Sequence, residues 1–416
     1  MQILFVHPNF PAQFGHIASR LAARHGVECV FLSRTADGPR DGIRCLRYAL
    51  RGGATRANHY CSRTFENAVW NAHAVYEACK AAPGLRPQLI VGHSGFGSTV
   101  FLQELYDCPI VSYFEYYYRP HGTDMDFRPD FPPRESEYLR AHARNAMILL
   151  DLEACAAGYA PTRWQWSLLP TAWAPKVEVI HDGIDTAAWQ RRPVLRRIGA
   201  EWVDETTRIV TYVSRGLEAM RGFDIFMRVA SRIAAAVPNV LFVVVGSDRI
   251  HYGNDARHIK TRSFREHVLR AEQPDLRRFR FLGTVPAGQL ADLLSLSDLH
   301  VYLSVPFVLS WSLLNALACE CTVLASDVAP VREVISQGQT GLLAEFFDVE
   351  GLASQAIQVL KDPPAWRKLG TAGRALVEDR YSLEASLPRH WELFRRVAGA
   401  GREGPKEHPH LGALRS

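Results

Sequence analysis

The 416-residue chain has no Cys-x-x-Cys pair and no zinc-like cluster of cysteine and histidine. Its eight cysteines, Cys29, Cys45, Cys61, Cys79, Cys108, Cys155, Cys319 and Cys321, are scattered, so they read as free, buried small hydrophobes suited to a reducing compartment. No apolar run reaches the roughly 18 uninterrupted residues that a membrane-spanning helix needs. The first residues, MQILFVHPNF, lack a charged leader followed by a long apolar run, and read as a first strand rather than a signal peptide. A cytoplasmic protein is the expectation, with a peripheral contact at the inner face of a membrane compatible with it. Net charge is also scarce. The formal +5 permits anionic ligands, but with no concentrated basic block it does not call for nucleic acid.

What the chain does have is rhythm. QILFVH is a continuous apolar run, the amphipathic IASRLAARH follows it, and VECVFLS is a second run. That is a β-α-β unit of the kind found in parallel sheets buried on both faces. QLIVGHS, PIVSYFE and VEVIHDGID continue the first series. RIVTYVS, LFVVVGS, FRFLGTV, LHVYLS and CTVLASD form a second. The fold class is therefore α/β, with two doubly wound, Rossmann-like domains facing a cleft. Residues 1–190 form the first domain and residues 191–380 the second, which the resemblance described below makes the acceptor-side and the donor domain. A helix over 381–398 is expected to return to the first domain, and the Gly- and Pro-rich tail 399–416 to be disordered. Ligands in such sheets lie beyond the carboxyl ends of the strands.

Several residues that carry chemistry stand at such ends. In VSRGLEAMRG, Arg215 and Arg221 leave a strand beside Gly216 and Gly222. Guanidinium matches phosphate in geometry and charge, and glycine permits close backbone approach. Gly246 and Ser247 end one strand, and Gly283, followed by Thr284 and Val285, ends another. A helix beginning near Trp311, capped by Ser310 or Ser312, offers free amides to an anion. A plain capped helix would look the same.

Together, SRGLEAMRGFDIF, VVVGSD, FLGTVPAGQLADLLSLSDLHVYLS, LLNALACECTVLASDVAPVREVISQGQTGLLAEFFD and VEVIHDGIDT resemble the family 4 glycosyltransferases of the GT-B type. ILFVHPNFPAQFGHIASRLAARHG and QLIVGHSGFGST match more loosely. The resemblance implies retaining transfer of a sugar from a nucleotide-diphospho-sugar to a glycan, lipid-linked or small-molecule acceptor, with no metal required. It makes Arg215 and Arg221 the diphosphate clamp and His93 the catalytic-site histidine facing the donor sugar. Thr284 and Val285 would meet the nucleobase, and Ser310, Trp311 and Ser312 phosphate or sugar. Gly15 would lie near the donor phosphates or the acceptor. The family's two glutamates, eight residues apart, fall here on Phe307 and Asn315. Asn315 keeps an acceptor oxygen for the ribose, whereas Phe307 cannot accept a hydrogen bond. That departure leaves two alternatives open: a non-catalytic nucleotide-sugar-binding subunit, and a nucleotide-sugar 2-epimerase.

On the acceptor side, His7 and His16 flank the first loop, and the aromatic run YFEYYYRPHG offers Glu115 and Tyr116. Asp124 and Asp126 form an Asp-x-Asp pair that could suit a divalent cation, but in a loop of the first half they read better as a solvated turn. PTRWQWS reads as inter-domain packing. The basic run HIKTRSFREHVLRAEQPDLRRFR reads as a solvated helix face rather than a lipid contact.

Overall fold

A computed structural model describes residues 1–400. The expected tail therefore lies, from residue 401 onward, outside the described residues, while residues 399 and 400 are still helical.

The first sheet has eight strands: β1 (Gln2–Val6), β2 (Glu28–Ser33), β3 (Gly38–Arg40), β4 (Ile43–Arg47), β5 (Leu89–His93), β6 (Ile110–Tyr113), β7 (Ala157–Ala160) and β8 (Val177–Val179). Their order is β3-β4-β2-β1-β5-β6-β7-β8, all parallel except β3 against β4. A short antiparallel pair, β9 (Arg197–Ile198) and β10 (Glu201–Trp202), precedes the second sheet. The second sheet contains β11 (Arg208–Gly216), β12 (Val240–Ser247), β13 (Phe279–Gly283), β14 (Leu299–Tyr302), β15 (Val323–Ser326) and β16 (Leu342–Ala344). It is wholly parallel, in the order β13-β12-β11-β14-β15-β16.

The sequence explains this burial. β1 is buried at every position, and so is β12 up to its last residue, because helices cover both faces. The helix Phe223–Ala236 presents Phe223, Phe226, Met227, Ala230 and Ile233 to the second core. In each sheet the order reverses at the first strand: β1 lies between β2 and β5, and β11 between β12 and β14. The loops leaving these strands face one another, which sets the cleft at two switch points.

Three ties hold the lobes together. The connection after β8 continues through Gly183, whose φ of +92° only glycine takes easily and which has no room for a Cβ against Leu383. The helix Leu383–Ala400 returns to the first lobe, where Phe394 meets Phe5 at 6.2 Å and His390 meets Tyr159 at 4.9 Å. The third tie was absent from the sequence reading. The loop over residues 119–134 leaves the first lobe and docks on the second through Arg128. This guanidinium is 3% exposed and donates to Asp224 Oδ2 at 2.7 Å, Asp224 Oδ1 at 3.1 Å and the Ala219 carbonyl at 2.9 Å. Asp130, in its own loop, accepts from Nε at 2.9 Å, and the rings of Phe131, Phe346 and Phe347 surround it at 4.9–5.7 Å. So the segment holding Asp124 and Asp126 is a strap rather than a free turn. Tyr116 donates to Asp124, and Asp126 accepts from the Gly122 amide at 3.0 Å.

Five of the six arginines in the basic run are paired. Arg265 pairs with Asp248, Arg270 with Glu266, Arg277 and Arg278 with Asp275, and Arg280 with Glu201. No described helix is long and apolar enough to cross a membrane.

Removing one partner of a buried ion pair strands the other charge, at a cost of about 3–5 kcal/mol. Arg128→Ala is expected to lower unfolding stability by that amount in urea titration. Arg277→Ala, at a side chain 91% exposed, should leave the urea midpoint unchanged. Equal effects would contradict the strap.

Candidate functional site between the lobes

A cavity of about 680 Å³ lies between the two sheets and is lined by both lobes. Its second-lobe wall is built from the turn after β11. Glu218, fully buried, opens the tight turn Ala219–Arg221, and the chain doubles back at Gly222. Gly222 has φ +62°, and a Cβ there would sit 2.7 Å from Leu303 Cβ. Gly216 is likewise closed off by the Arg249 carbonyl, 2.2 Å from where its Cβ would be. Both glycines are required by the protein's own chain.

This reversal brings Arg215 and Arg221 to a single ring, Tyr252. Arg215 Nη1 donates to the Tyr252 hydroxyl at 2.9 Å, and the two guanidinium carbons lie 5.7 and 5.4 Å from the ring centre. Arg221, only 7% exposed, also donates to Ser304 Oγ at 2.9 Å and stands 5.6 Å from the Phe307 ring. Among the described residues no carboxylate forms an ion pair with either arginine. Glu218, between them in sequence, turns Oε2 to the amides of His251 (2.8 Å), Tyr252 (3.0 Å) and Gly253 (3.4 Å). It fixes the loop that carries Tyr252. Ser310 caps the helix Trp311–Ala318, accepting from the Ser312 amide at 3.3 Å, and Ser310, Trp311 and Ser312 line the cavity.

The first-lobe wall is acidic and imidazole-rich. His93 Nδ1 donates to the Ser94 carbonyl at 2.8 Å, and its Nε2 faces Glu115 Oε2 at 3.5 Å. Burial would push the Glu115 carboxyl up, but His93, His7 and the Gln13 amide hold it below the usual range. Burial and the neighbouring His93 push His7 down to about 3, so His7 is neutral. At the cavity floor Asp182 is pushed up to about 7, first by burial and then by the Glu115 charge, although Trp311 Nε1 donates to its Oδ2 at 2.9 Å.

Residues 25–189 match the family described as "Glycosyl transferase family 4 group", and residues 198–376 match "Glycosyl transferases group 1". The chain belongs to the family 4 glycosyltransferases. It is 25% identical over 218 residues to N-acetyl-alpha-D-glucosaminyl L-malate synthase of Bacillus anthracis, covering 52% of this chain and 53% of that one. Over 235 residues it is 28% identical to alpha-maltose-1-phosphate synthase of Mycolicibacterium smegmatis, covering 54% and 57%. It thus spans little more than half the length of these curated relatives. Among solved structures, sucrose-phosphate synthase of Thermosynechococcus elongatus superposes with TM-score 0.75 at 18% identity, over 96% and 99% of the chains. HepE of Anabaena, in complex with UDP and glucose, gives 0.68 at 16% identity, over 95% and 100%. The fold is GT-B.

The fold brings nine of the sequence-expected contact residues to the cavity, His7, His93, Glu115, Tyr116, Arg215, Arg221, Ser310, Trp311 and Ser312, and Asp124 and Phe307 line it as well. The others lie outside its lining. Gly15 begins the helix Gly15–His25, its amide on the Pro11 carbonyl at 2.7 Å, behind the lining residues Pro11 and Gln13. His16 Nε2 meets the Asp182 carbonyl oxygen at 2.7 Å, so it braces the hinge. Gly246 packs against the Ser214 carbonyl, and Ser247 Oγ donates to the Arg215 carbonyl at 2.8 Å. Gly283 ends β13, the sheet edge, Thr284 and Val285 follow it, and Asn315 is buried with Oδ1 unpartnered.

Phe307 bridges the cleft, its ring 4.9 Å from Tyr116 of the first lobe and 5.3 Å from Tyr252 of the second. Sequence reasoning missed Tyr252, Glu218 and Asp182. Glu218 carried one signal, an acid between two arginines, and Asp182 another, an acid leaving the last strand of the first lobe.

Glu218→Ala leaves three loop amides without their acceptor. It is expected to cost at least about 2 kcal/mol and to speed amide exchange at 251–253 at least tenfold over the rest of the second lobe. Unchanged exchange there would remove Glu218 as the organiser of Tyr252.

Proposed function

We propose that the chain is a retaining glycosyltransferase that moves a sugar from a nucleotide-diphospho-sugar to a hydroxyl-bearing acceptor without a metal ion. The observation that carries this reading is the pair Arg215 and Arg221, converged on one ring, lining the cavity and free of carboxylate partners. Departure of a nucleoside diphosphate leaves growing negative charge on the terminal phosphate. Two preorganised guanidinium groups stabilise that charge and supply what a divalent cation would otherwise supply. The amides at the start of the helix Trp311–Ala318 add a positive dipole end on the same wall. In front-face transfer the departing phosphate takes the acceptor's proton, and no protein carboxylate needs to form a covalent intermediate. His93, across the cavity, faces the sugar. The HepE complex with UDP and glucose makes UDP the first nucleotide to test.

A second reading, a nucleotide-sugar-binding subunit without turnover, is favoured by one observation. Phe307 stands in an aromatic bridge where the family pattern has a carboxylate.

Incubation with UDP-, GDP- and dTDP-sugars, with and without acceptor extracts, separates the two readings by nucleotide release. Turnover supports the transferase, and binding without turnover the subunit. In thermal-shift titration the matching nucleoside diphosphate at 100 times its dissociation constant should stabilise by about 2.7 kcal/mol. Arg221→Ala should abolish that shift, and a retained shift would contradict the clamp.

A further inference from the structure

Asp182 is a buried carboxyl group at the floor of the cavity whose two oxygens are unequally used. Oδ2 accepts from Trp311 Nε1 of the second lobe at 2.9 Å and from the Tyr113 hydroxyl of the first at 3.3 Å. Oδ1 has no partner, and the residue is 3% exposed. An unpartnered buried carboxylate oxygen costs several kcal/mol unless something occupies it. No side-chain cation pairs with it among the described residues, and the neighbouring ionised group, Glu115, is of like charge. Asp182 is nonetheless held rigidly: β8 and the hinge fix its backbone, the His16 ring holds its carbonyl at 2.7 Å, and Trp311 and Tyr113 fix its carboxyl plane. A rigid carboxyl with one unpartnered oxygen, on a residue that lines the cavity, is a ready-made receptor for a hydrogen-bond donor.

The donor's chemistry follows from the surroundings. A ligand cation would have to sit among His7, His93 and His181, none of which offers it a negative partner, and only Glu115 would assist. A neutral hydroxyl needs a single acceptor and no charge balance. Trp311 also begins the helix whose first turn, with Ser310 and Ser312, lines the donor wall. The carboxyl it holds is thereby tied to the donor end of the cavity.

We infer that Asp182 Oδ1 accepts a hydrogen bond from a hydroxyl of the donor's sugar, a contact that exists only while Trp311 of the second lobe holds the carboxyl. This rests on the nucleotide-sugar reading above. The push on this carboxyl toward about 7 agrees with it, because a hydroxyl donor at Oδ1 replaces the missing stabilisation of the ionised form. Asp182 also becomes the point where sugar occupancy and lobe closure meet. A sugar that bonds Oδ1 favours the arrangement in which Trp311 bonds Oδ2.

The test compares sugar with no sugar on the same nucleotide. Calorimetric affinities for UDP and UDP-glucose, and for GDP and GDP-mannose, are measured on wild type, D182N and D182A. D182N keeps an acceptor for Trp311 and Tyr113 and so preserves the fold. Both variants are expected to bind the free nucleoside diphosphate within about twofold of wild type. D182A should lose about tenfold in the ratio of sugar-nucleotide to nucleotide affinity, the worth of one hydrogen bond to a charged group, and D182N less, because its amide nitrogen can donate to the same hydroxyl. A ratio within twofold of wild type in D182A overturns the contact. Wild type that binds none of the four ligands would remove the nucleotide-sugar reading itself, and this contact with it.

Discussion

Arg221 is a nearly buried cation with no carboxylate to neutralise it. Burying an unpaired charge is costly, and proteins usually avoid it by pairing. Here the compensation is a single serine hydroxyl, Ser304, and two aromatic faces, Tyr252 and Phe307. Aromatic faces stabilise a guanidinium by about 0.5–2 kcal/mol without cancelling its charge. The positive field therefore remains available to the cavity. The nearest acid in sequence, Glu218, is committed to three backbone amides instead. Had Glu218 turned to either arginine, the wall would be neutral and the 251–253 loop would lose its acceptor. The local fold is arranged so that the cation is supported but not satisfied.

That wall matters only because the opposite one is held at a fixed place. Each lobe buries a core of its own around its sheet. Their relation depends on a few ties distant from one another in sequence. The Arg128 strap, the His16 and Trp311 contacts to the hinge at Asp182, and the helix Leu383–Ala400 act at different edges of the cleft. Trp311 and Asp182 form a hydrogen-bonded tie between residues that line the cavity. In such a fold closure excludes water from the reacting groups. An inter-lobe bond at the floor of the site makes closure sensitive to what the site contains.

Much of this frame was legible in the residues. Continuous apolar runs such as QILFV and LFVVV identify strands buried on both faces, and their spacing identifies crossover helices. The two arginines were legible too, because they flank a strand exit. Three-residue strands such as β3 and β16 were not, since no periodicity develops over so few positions. Nor were the groups that act at long range. Tyr252 reaches Arg215 across 37 positions, and Trp311 reaches Asp182 across 129. Arg128 reaches Asp224 across 96, from a segment whose composition is that of an ordinary polar loop. Hydrophobic pattern locates cores. It carries no information on which loop residue docks in another domain, and most of this cleft is loop.

The cavity's two walls differ in kind, and the difference bears on the proposed transfer. One wall offers fixed positive charge, an aromatic ring and helix amides; the other offers Glu115, Asp182 and neutral or carboxylate-facing imidazoles. A diphosphate placed against the acidic wall would face like charge in a poorly solvated space. Placed against the arginines, it directs its sugar toward His93 and Asp182. In the proposed transfer, the attraction that orients the substrate in its ground state would strengthen as charge collects on the leaving phosphate, because the arginines would lie on the side where that charge develops. Phe307, between Tyr116 and Tyr252, keeps the boundary between the walls apolar. The aromatic residue removes a hydrogen-bond acceptor from that boundary, and Asp182 is an acid at the floor of the cavity with an unpartnered oxygen.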